Sequence, residues 1–267
     1  MTNKSVNKDK IIVALDVAKE IQAKEIIAQL RNEVGGFKIG LQLFTAVGAS
    51  FVKELAKSRV KIFLDLKLHD IPNTVSKAAV EAARLGIWMF NVHTIGGSEM
   101  MLRAVDEMRD VCEKERLIPP KILGVTVLTS STDETLREIG VDLNTTDQVL
   151  RLARLASSCG LDGVVASPQE IKMIRDEIEN KRFLIVTPGI RSTEKSRISK
   201  IDDFDDQKRT MSPGEALGAG ADYLVVGRPI IKSKNMIASV KEILTDMEKP
   251  LEVNDRKVLD FSEKIAK

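Results

Sequence analysis

Short apolar runs alternate with amphipathic stretches along almost the whole chain. The apolar runs are rich in Val, Ile and Leu and have little polar alternation, which is typical of strands that are buried on both faces. They predict eight strands, at Lys10–Leu15, Gly36–Ile39, Lys61–Asp65, Ile87–Val92, Lys121–Leu128, Gly163–Ala166, Phe183–Thr187 and Tyr223–Gly227. The amphipathic stretches predict helices at Ala18–Glu33, Gln42–Lys57, Asn73–Leu85, Ser98–Glu115, Asp147–Ser158, Pro168–Ile178, Pro213–Gly218 and Lys234–Met247.

Strict alternation of strand and helix indicates parallel strands joined by crossover helices. Eight such units in one chain of this length predict an α/β fold, a single-domain (β/α)8 TIM barrel over residues 10–249. A doubly wound open sheet is the alternative, but Leu15-Asp16-Val17 follows the first strand where a glycine-rich dinucleotide motif would stand. We expect residues 1–9 to be a flexible tail and residues 250–267 to be a helical extension packed on the barrel.

The composition narrows the class of protein. The 267 residues contain 41 Lys and Arg against 39 Asp and Glu, so the net charge is +2 and gives no reason to expect a nucleic-acid or membrane surface. Cys112 and Cys159 fit neither a metal motif nor a disulfide framework. The polar N-terminus lacks the apolar segment of a signal peptide, and we expect a cytoplasmic protein.

The third strand carries the most informative residues. Side chains alternate between the two faces of a strand, so Phe63, Asp65 and Lys67 are expected on one face. Two opposite charges then lie side by side on an otherwise apolar strand, where a charge is costly unless it is paired. Asp70 follows, and Pro72 opens a helix. This arrangement predicts catalytic chemistry.

Active sites of such barrels form at the carboxyl ends of the strands. Asp16 and Lys38 lie at the ends of the first two predicted strands, so they can converge with Asp65 and Lys67. Alternation of Asp and Lys would keep each charge paired. The alternative is a salt-bridge network that only closes the barrel, but buried ion pairs are a poor source of stability.

The ends of the last two strands predict a phosphate site. Loops after strands seven and eight hold phosphate in many barrels, and here they carry Pro188-Gly189-Ile190-Arg191 and Gly227-Arg228-Pro229. Glycine allows close backbone approach, and arginine suits phosphate oxygens. The long charged loop from Ser192 to Met211 is interpreted as a mobile lid rather than a disordered surface loop. His93 is interpreted as a hydrogen-bonded structural residue, and His69 as outside the chemistry.

Together these motifs resemble the orotidine 5′-phosphate decarboxylase family. The resemblance rests on the decapeptide from Asp65 to Thr74, in which a D-x-K-x-x-D core continues as Ile-Pro-Asn-Thr, and on five further motifs in the family's order. These are Val13-Ala14-Leu15-Asp16, Phe37-Lys38-Ile39-Gly40, Val125-Thr126-Val127-Leu128-Thr129-Ser130, Thr187-Pro188-Gly189-Ile190-Arg191 and Val226-Gly227-Arg228-Pro229-Ile230.

The resemblance implies conversion of orotidine 5′-phosphate (OMP) to UMP and CO2 without metal or organic cofactor. It implies four catalytic residues, with Lys67 as the proton donor: Lys67, Asp65, Lys38 and Asp70. It also implies a homodimer in which each subunit contributes three residues to its partner's site: Asp70, Ile71 and Thr74. The remaining implied substrate contacts are Asp16 and Lys38 at the ribose, Thr129 or its neighbour Ser130 at the pyrimidine edge, Pro188, and Arg191, Gln207, Gly227 and Arg228 at the phosphate.

Two other functions stay open at this point. A metal-dependent sugar-phosphate decarboxylase of the same superfamily shares the D-x-K-x-x-D core and would need Mg2+. A non-catalytic barrel that only binds a phosphate ligand would retain the arginines but would have no need for the Asp and Lys array.

Overall fold

The computed structural model describes residues 7–191 and 210–249, which form a closed barrel of eight parallel strands. Each strand pairs with the next in chain order, and the eighth pairs with the first. The strands are β1 (Ile11–Ala14), β2 (Gly36–Gly40), β3 (Ile62–Leu68), β4 (Met89–His93), β5 (Lys121–Val125), β6 (Gly163–Val165), β7 (Leu184–Thr187) and β8 (Tyr223–Val226). The predicted (β/α)8 barrel is confirmed.

Helices connect the strands on the outside of the barrel. In the described residues they are α1 (Glu20–Leu30), α2 (Leu41–Lys57), α3 (Pro72–Arg84), α4 (Gly97–Glu115), α5 (Asp133–Glu138), α6 (Thr145–Ser158), α7 (Ile171–Glu177), α8 (Pro213–Gly218), α9 (Arg228–Ile231) and α10 (Met236–Met247). Short 3-10 turns, Thr94–Gly96 and Pro168–Glu170, precede α4 and α7. The sequence pattern predicted the short helix α8 but not the similarly short α5 and α9.

Alternation along the strands divides the core into two parts. In β1, Ile11 and Val13 pack outward against the helices, whereas Ile12 and Ala14 pack inward. The inner cluster fills the barrel below the site, and its buried members are Ile12, Ala14, Phe63, Met89, Leu123, Val186 and Val225. Burial on both faces explains why the strands read as continuous apolar runs.

Aromatic side chains cover the amino-terminal end of the barrel. The rings of Trp88 and Tyr223 meet edge to face with centroids 5.0 Å apart, and the ammonium of Lys61 lies 5.4 Å from the Trp88 ring centroid. These residues stand at or just before the starts of strands. They occupy the end of the barrel opposite the carboxyl ends of the strands.

Strand β3 is longer than predicted and is irregular. Its partners on β4 are Phe90 for Leu64 and Val92 for Leu68, so three residues of β3 face a single residue of β4. Lys67, within this bulge, has a φ of 52° in the left-handed region. Bulges bend a strand and redirect its side chains, and they often lie beside active sites.

Candidate active site

A cavity of about 800 Å³ opens at the carboxyl ends of the strands. Its size lies within the range of small-molecule sites. Its floor includes Ala14, Phe63 and Val225 from the inner cluster. Nine of the residues that the sequence predicts for the site line it: Asp16, Lys38, Asp65, Lys67, Thr129, Pro188, Arg191, Gly227 and Arg228.

The carboxylate of Asp65 lies at the centre of a charge array. Its Oδ1 accepts a hydrogen bond from Nζ of Lys67 at 2.7 Å, and its Oδ2 lies 3.3 Å from Nζ of Lys38. Lys38 also lies 3.5 Å from Oδ1 of Asp16. Three neighbouring strand ends therefore bring these four charges together, in the alternating order that the sequence predicts.

The array fixes the ionisation of its central carboxyl. Burial opposes the charged form of Asp65, whose side chain is only 12% exposed. The charges of Lys38 and Lys67, with hydrogen bonds from Lys67 and Asn91, outweigh that effect and hold the pKa of Asp65 below its ordinary value. Asp65 is therefore ionised at neutral pH.

Asn91 belongs to this cluster, although the sequence analysis assigned it no role. It is fully buried in β4, and its amide contacts both Asp65 and the backbone of Lys67. One feature of the sequence could have identified it, because Asn91 is a polar residue inside an apolar strand. A polar side chain that is buried there must find hydrogen-bond partners.

Two arginines line the cavity after β7 and β8, across the barrel from β3 and β4. Gly189 has a φ of 81°, a conformation that favours glycine, and Arg191 follows it. Arg228 is the first residue of α9. Partial burial and the nearby charge of Arg228 lower the pKa of Arg191, so the two guanidinium groups are close enough to repel each other. An anion bound between them would relieve that repulsion.

Gly227 allows the two halves of the site to approach. A Cβ at this position would lie 2.9 Å from Oδ2 of Asp16 and 3.3 Å from the Cβ of Ala14. A larger residue would push the Asp16 carboxylate away from β8. This glycine therefore belongs to the wall between the charge array and the arginines.

Three predicted residues do not line the cavity of their own chain. Asp70, Ile71 and Thr74 are exposed, and Ile71 is 66% exposed. Oδ1 of Asp70 accepts a hydrogen bond from the backbone N–H of Ile71 at 2.7 Å. The structure thus separates Asp70 from the Asp65 cluster, although the two residues belong to one decapeptide.

Two further predictions have different outcomes. Ser130 is not among the lining residues of the cavity, whereas its neighbour Thr129 is. Gln207 lies outside the described residues, as does the predicted lid from Ser192 to Met211 except for its last two residues.

The two histidines lie together beside the array. The ring centroids of His69 and His93 are 5.7 Å apart. Burial, then the charges of His69 and Lys67, lower the pKa of His93, although Asp65 opposes this. Nδ1 of His93 is buried and has no hydrogen-bond partner in the described part of the chain, so the hydrogen bond expected for a structural histidine is not found at that atom.

Residues 7–191 and 210–249 contain neither a metal-binding cluster nor a membrane-spanning helix. No group of three or more His, Cys, Asp or Glu side chains there is arranged to hold a metal ion. No helix in those ranges is both long enough and apolar enough to span a bilayer.

Comparison with known proteins identifies the family. Orotidine 5′-phosphate decarboxylases from Syntrophotalea carbinolica and Pelobacter propionicus are 49% and 47% identical, over 91% and 92% of this chain and 96% and 98% of theirs. The crystal structure of orotidine 5′-phosphate decarboxylase from Lactobacillus acidophilus has a TM-score of 0.76 and 37% identity, covering 90% of this chain and 99% of that one. The model of the orotidine 5′-phosphate decarboxylase / HUMPS family matches residues 9–243, and the chain belongs to this family.

Proposed function

We propose that this chain decarboxylates OMP to UMP and CO2, the last step of UMP synthesis. The observation that carries the proposal is the ionised Asp65 carboxylate between the ammonium groups of Lys67 and Lys38, at 2.7 and 3.3 Å, in the wall of a barrel-mouth cavity. Family membership and the names of the curated relatives support it.

The reaction needs a cation at the reacting carbon. The bond from carbon 6 of the pyrimidine to the carboxylate breaks, CO2 leaves, and the electron pair stays on carbon 6. That pair lies in the plane of the ring, so the ring offers it no obvious electron sink. A fixed ammonium group aimed at this carbon would stabilise the developing charge. Lys67 then donates its proton to carbon 6 and later regains one from solvent.

The position of Asp65 determines what the array can do. Asp65 holds the Lys67 ammonium at 2.7 Å and lies where the substrate carboxylate would approach. The ammonium group of Lys38 offsets the negative charge on the second oxygen of Asp65. Lys38 and Asp16 also reach the ribose hydroxyls. The array thereby keeps Lys67 oriented before substrate arrives, which lowers the reorganisation needed during the reaction.

The remaining contacts follow the shape of the cavity. Thr129 meets the pyrimidine edge, with Ser130 next to it in the chain, and Pro188 contacts the substrate from the cavity wall. Arg191, Gly227 and Arg228 hold the phosphate, and the contact of Gln207 with the same group stays a prediction from the sequence. Binding energy at the remote phosphate can then drive closure of the site and be used at carbon 6.

A second copy of the chain completes the site. Asp70, Ile71 and Thr74 would enter the partner's cavity, where Asp70 would approach Lys67. The exposure of Ile71 supports an interface, because this large apolar side chain within the decapeptide is 66% exposed. Ile95 and Leu102, which follow the next strand, are 48% and 43% exposed. The cytoplasmic location stays a prediction.

The test is direct turnover of OMP. Purified protein is mixed with OMP in the presence of a chelator, and the pyrimidine absorbance and CO2 release are followed. Stoichiometric formation of UMP is expected. A protein that leaves OMP unchanged with and without added Mg2+, while remaining folded, contradicts the proposed activity.

The same assay separates the alternatives. A metal-dependent sugar-phosphate decarboxylase would lose activity on chelation, and a non-catalytic barrel would bind UMP without turning OMP over. The names of the curated relatives do not favour either alternative. The paired Asp and Lys array also argues against a silent barrel, because binding a phosphate alone does not require it.

Replacing Arg228 by alanine tests the phosphate end. The variant loses charge-assisted hydrogen bonds of the kind that contribute about 1.5–3 kcal/mol, so kcat/KM for OMP should fall by roughly 10- to 100-fold. Arg109→Ala is the matched control, because Arg109 is exposed on α4 and donates to the carbonyl of Gly160 away from the cavity. Steady-state kinetics measure both variants. Equal kcat/KM values for Arg228→Ala and Arg109→Ala would exclude Arg228 as a phosphate-binding residue.

A further inference from the structure

Asn91 occupies the place where the ladder between β3 and β4 is interrupted. Leu64 pairs with Phe90 and Leu68 pairs with Val92, so Asp65, Leu66 and Lys67 all lie opposite this one residue. Regular backbone pairing cannot satisfy three residues with one. On its other side Asn91 keeps its regular partner, Leu123 of β5.

The side-chain amide of Asn91 bonds to both ends of the interruption. Its Oδ1 accepts from the backbone N–H of Lys67 at 2.8 Å, and its Nδ2 donates to Oδ1 of Asp65 at 2.7 Å. Nζ of Lys67 donates to that same oxygen at 2.7 Å. These three hydrogen bonds form a closed ring through the side chain of Asn91, the carboxylate of Asp65 and the whole length of Lys67.

The backbone at Lys67 needs such support. Its φ of 52° lies in the left-handed region, which costs a residue with a Cβ roughly 1–2 kcal/mol. Such conformations persist only where the surroundings hold them, and they are concentrated at functional sites. Among the described residues, Asn91 is the one whose side chain accepts a hydrogen bond from the Lys67 amide.

We propose that Asn91 is a positioning residue for the decarboxylation, which sets the direction of the Lys67 ammonium through the Lys67 backbone and the Asp65 carboxylate. This inference rests on the proposed function and deepens it. Asn91 is fully buried and does not line the cavity, so it acts through its two partners and touches no substrate. An asparagine suits the position because one short side chain supplies both the acceptor and the donor that the interruption requires.

Asn91→Ala removes both hydrogen bonds and should lower kcat for OMP by roughly 100-fold, since small displacements of a catalytic group have effects of that size. UMP should still bind within a few-fold of the unchanged protein, because the phosphate and ribose contacts remain. Thr94→Val is the matched control. Thr94 is equally buried just beyond β4 and donates to the carbonyl of Val125, without contacting Asp65 or Lys67. It should lower the unfolding temperature and leave kcat unchanged.

Asn91→Asp gives a readout that a merely structural role would not produce. The new carboxyl still accepts from the Lys67 amide, but it faces the Asp65 carboxylate at hydrogen-bond distance. Among the described residues of the same chain, the other charged or titratable groups around the Asp65 carboxylate are Lys67 on its own strand, Lys38 from β2 with Asp16 behind it, and His93 from β4. Two carboxyls so close share one proton, which raises one of the two apparent pKa values of the pair.

The expected pH profile of kcat follows from that proton. Below the raised pKa, the protonated carboxyl of the Asn91→Asp variant donates to Asp65 as the amide did, and activity is largely retained. Above it, repulsion displaces Asp65 and Lys67, and activity falls by the same roughly 100-fold as in the alanine variant. The kcat of the unchanged protein should show no loss at the pH where the Asn91→Asp variant loses activity.

The outcomes separate this inference from the proposed function. Failure of the unchanged protein to convert OMP overturns the function and the inference together. Conversion by the unchanged protein with kcat preserved in Asn91→Ala overturns only the inference, and so does a pH-independent loss in Asn91→Asp. If Asn91→Ala does not fold, the aspartate variant decides alone: an alkaline loss of kcat with UMP binding retained supports positioning, and a flat profile contradicts it.

Discussion

Lys67→Ala should reduce kcat for OMP by on the order of 10⁴-fold or more, while UMP binding changes little. Two effects combine in this one ammonium group. A positioned proton donor contributes typically 10²- to 10⁴-fold. A charge aimed at the developing carbanion adds an electrostatic contribution of about 10²- to 10³-fold. Substrate binding relies mainly on other groups, because Arg191 and Arg228 follow β7 and β8, which lie across the barrel from β3 and β4.

The variant is suited to this test because it leaves the conformational strain of the backbone at residue 67 unchanged. Alanine meets the same penalty as lysine at a φ of 52°, so the substitution removes the ammonium group without relieving or adding strain there. Asp65 retains Lys38 at 3.3 Å and the amide of Asn91 at 2.7 Å, so its carboxylate stays paired. A loss of activity can therefore be attributed to Lys67 itself.

Lys61→Ala is the matched control for removal of a lysine. Lys61 immediately precedes β3, and its ammonium lies over Trp88 at the closed end of the barrel. Its removal should leave kcat within a factor of about two, since surface substitutions away from special features have small effects. Single-turnover measurements with OMP and calorimetric titration with UMP compare the three proteins. A Lys67→Ala enzyme with kcat within tenfold of the unchanged protein would rule out Lys67 as the proton donor.

The sequence predicts the fold and the charge array because both depend on local patterns. Apolar runs at regular spacing define the strands, and the topology of a parallel barrel places all their carboxyl ends on one face. The convergence of Asp16, Lys38, Asp65 and Lys67 then follows from strand order, without knowledge of any distance. The same reasoning places Arg191 and Arg228 in one cavity.

The bulge in β3 could not be predicted in this way. It depends on the register between β3 and β4, which cannot be deduced from the sequence of either strand alone. Simple alternation places Lys67 correctly on the inner side, but it gives no indication of the left-handed backbone or of the role of Asn91. Alternation with a period of two describes a regular strand. The position of Lys67 in the site depends instead on the irregular backbone of β3.

The choice between Thr129 and Ser130 was open for a related reason. The predicted strand Lys121–Leu128 is too long, because β5 ends at Val125. Residues beyond that point follow a turn rather than a strand, so alternation no longer tells which side chain faces inward. Thr129 lines the cavity and Ser130 does not.

Asp70→Ala should abolish most activity, and mixing it with Lys67→Ala should restore part of it. In the proposed homodimer each site combines Lys67 of one chain with Asp70 of the other. Asp70 supports this arrangement by its placement: it is exposed, it caps the amide of Ile71, and it does not line the cavity of its own chain. Loss of a charge that orients the proton donor should cost about 100-fold or more in kcat.

Hybrid dimers distinguish a shared site from one built within a single chain. A dimer of one Asp70→Ala chain and one Lys67→Ala chain has one site with both residues intact and one site with neither. Random pairing of equal amounts makes half of the dimers hybrid, so about a quarter of the unchanged activity should return. If Asp70 served its own chain, every site in the mixture would lack one residue and the activity would stay at the level of the separate variants.

The control for recovery pairs two defects that belong to the same side of the interface. Asp65 and Lys67 contact each other within one chain at 2.7 Å, so hybrids of Asp65→Ala with Lys67→Ala contain no intact site. That mixture should stay inactive under the same exchange conditions. Differently tagged chains, captured through one tag and weighed by mass spectrometry, measure hybrid formation in both mixtures. Full exchange without recovered activity in the Asp70 mixture would show that the decapeptide serves a single site, because the intact pair of residues would then be present in the hybrids without acting together.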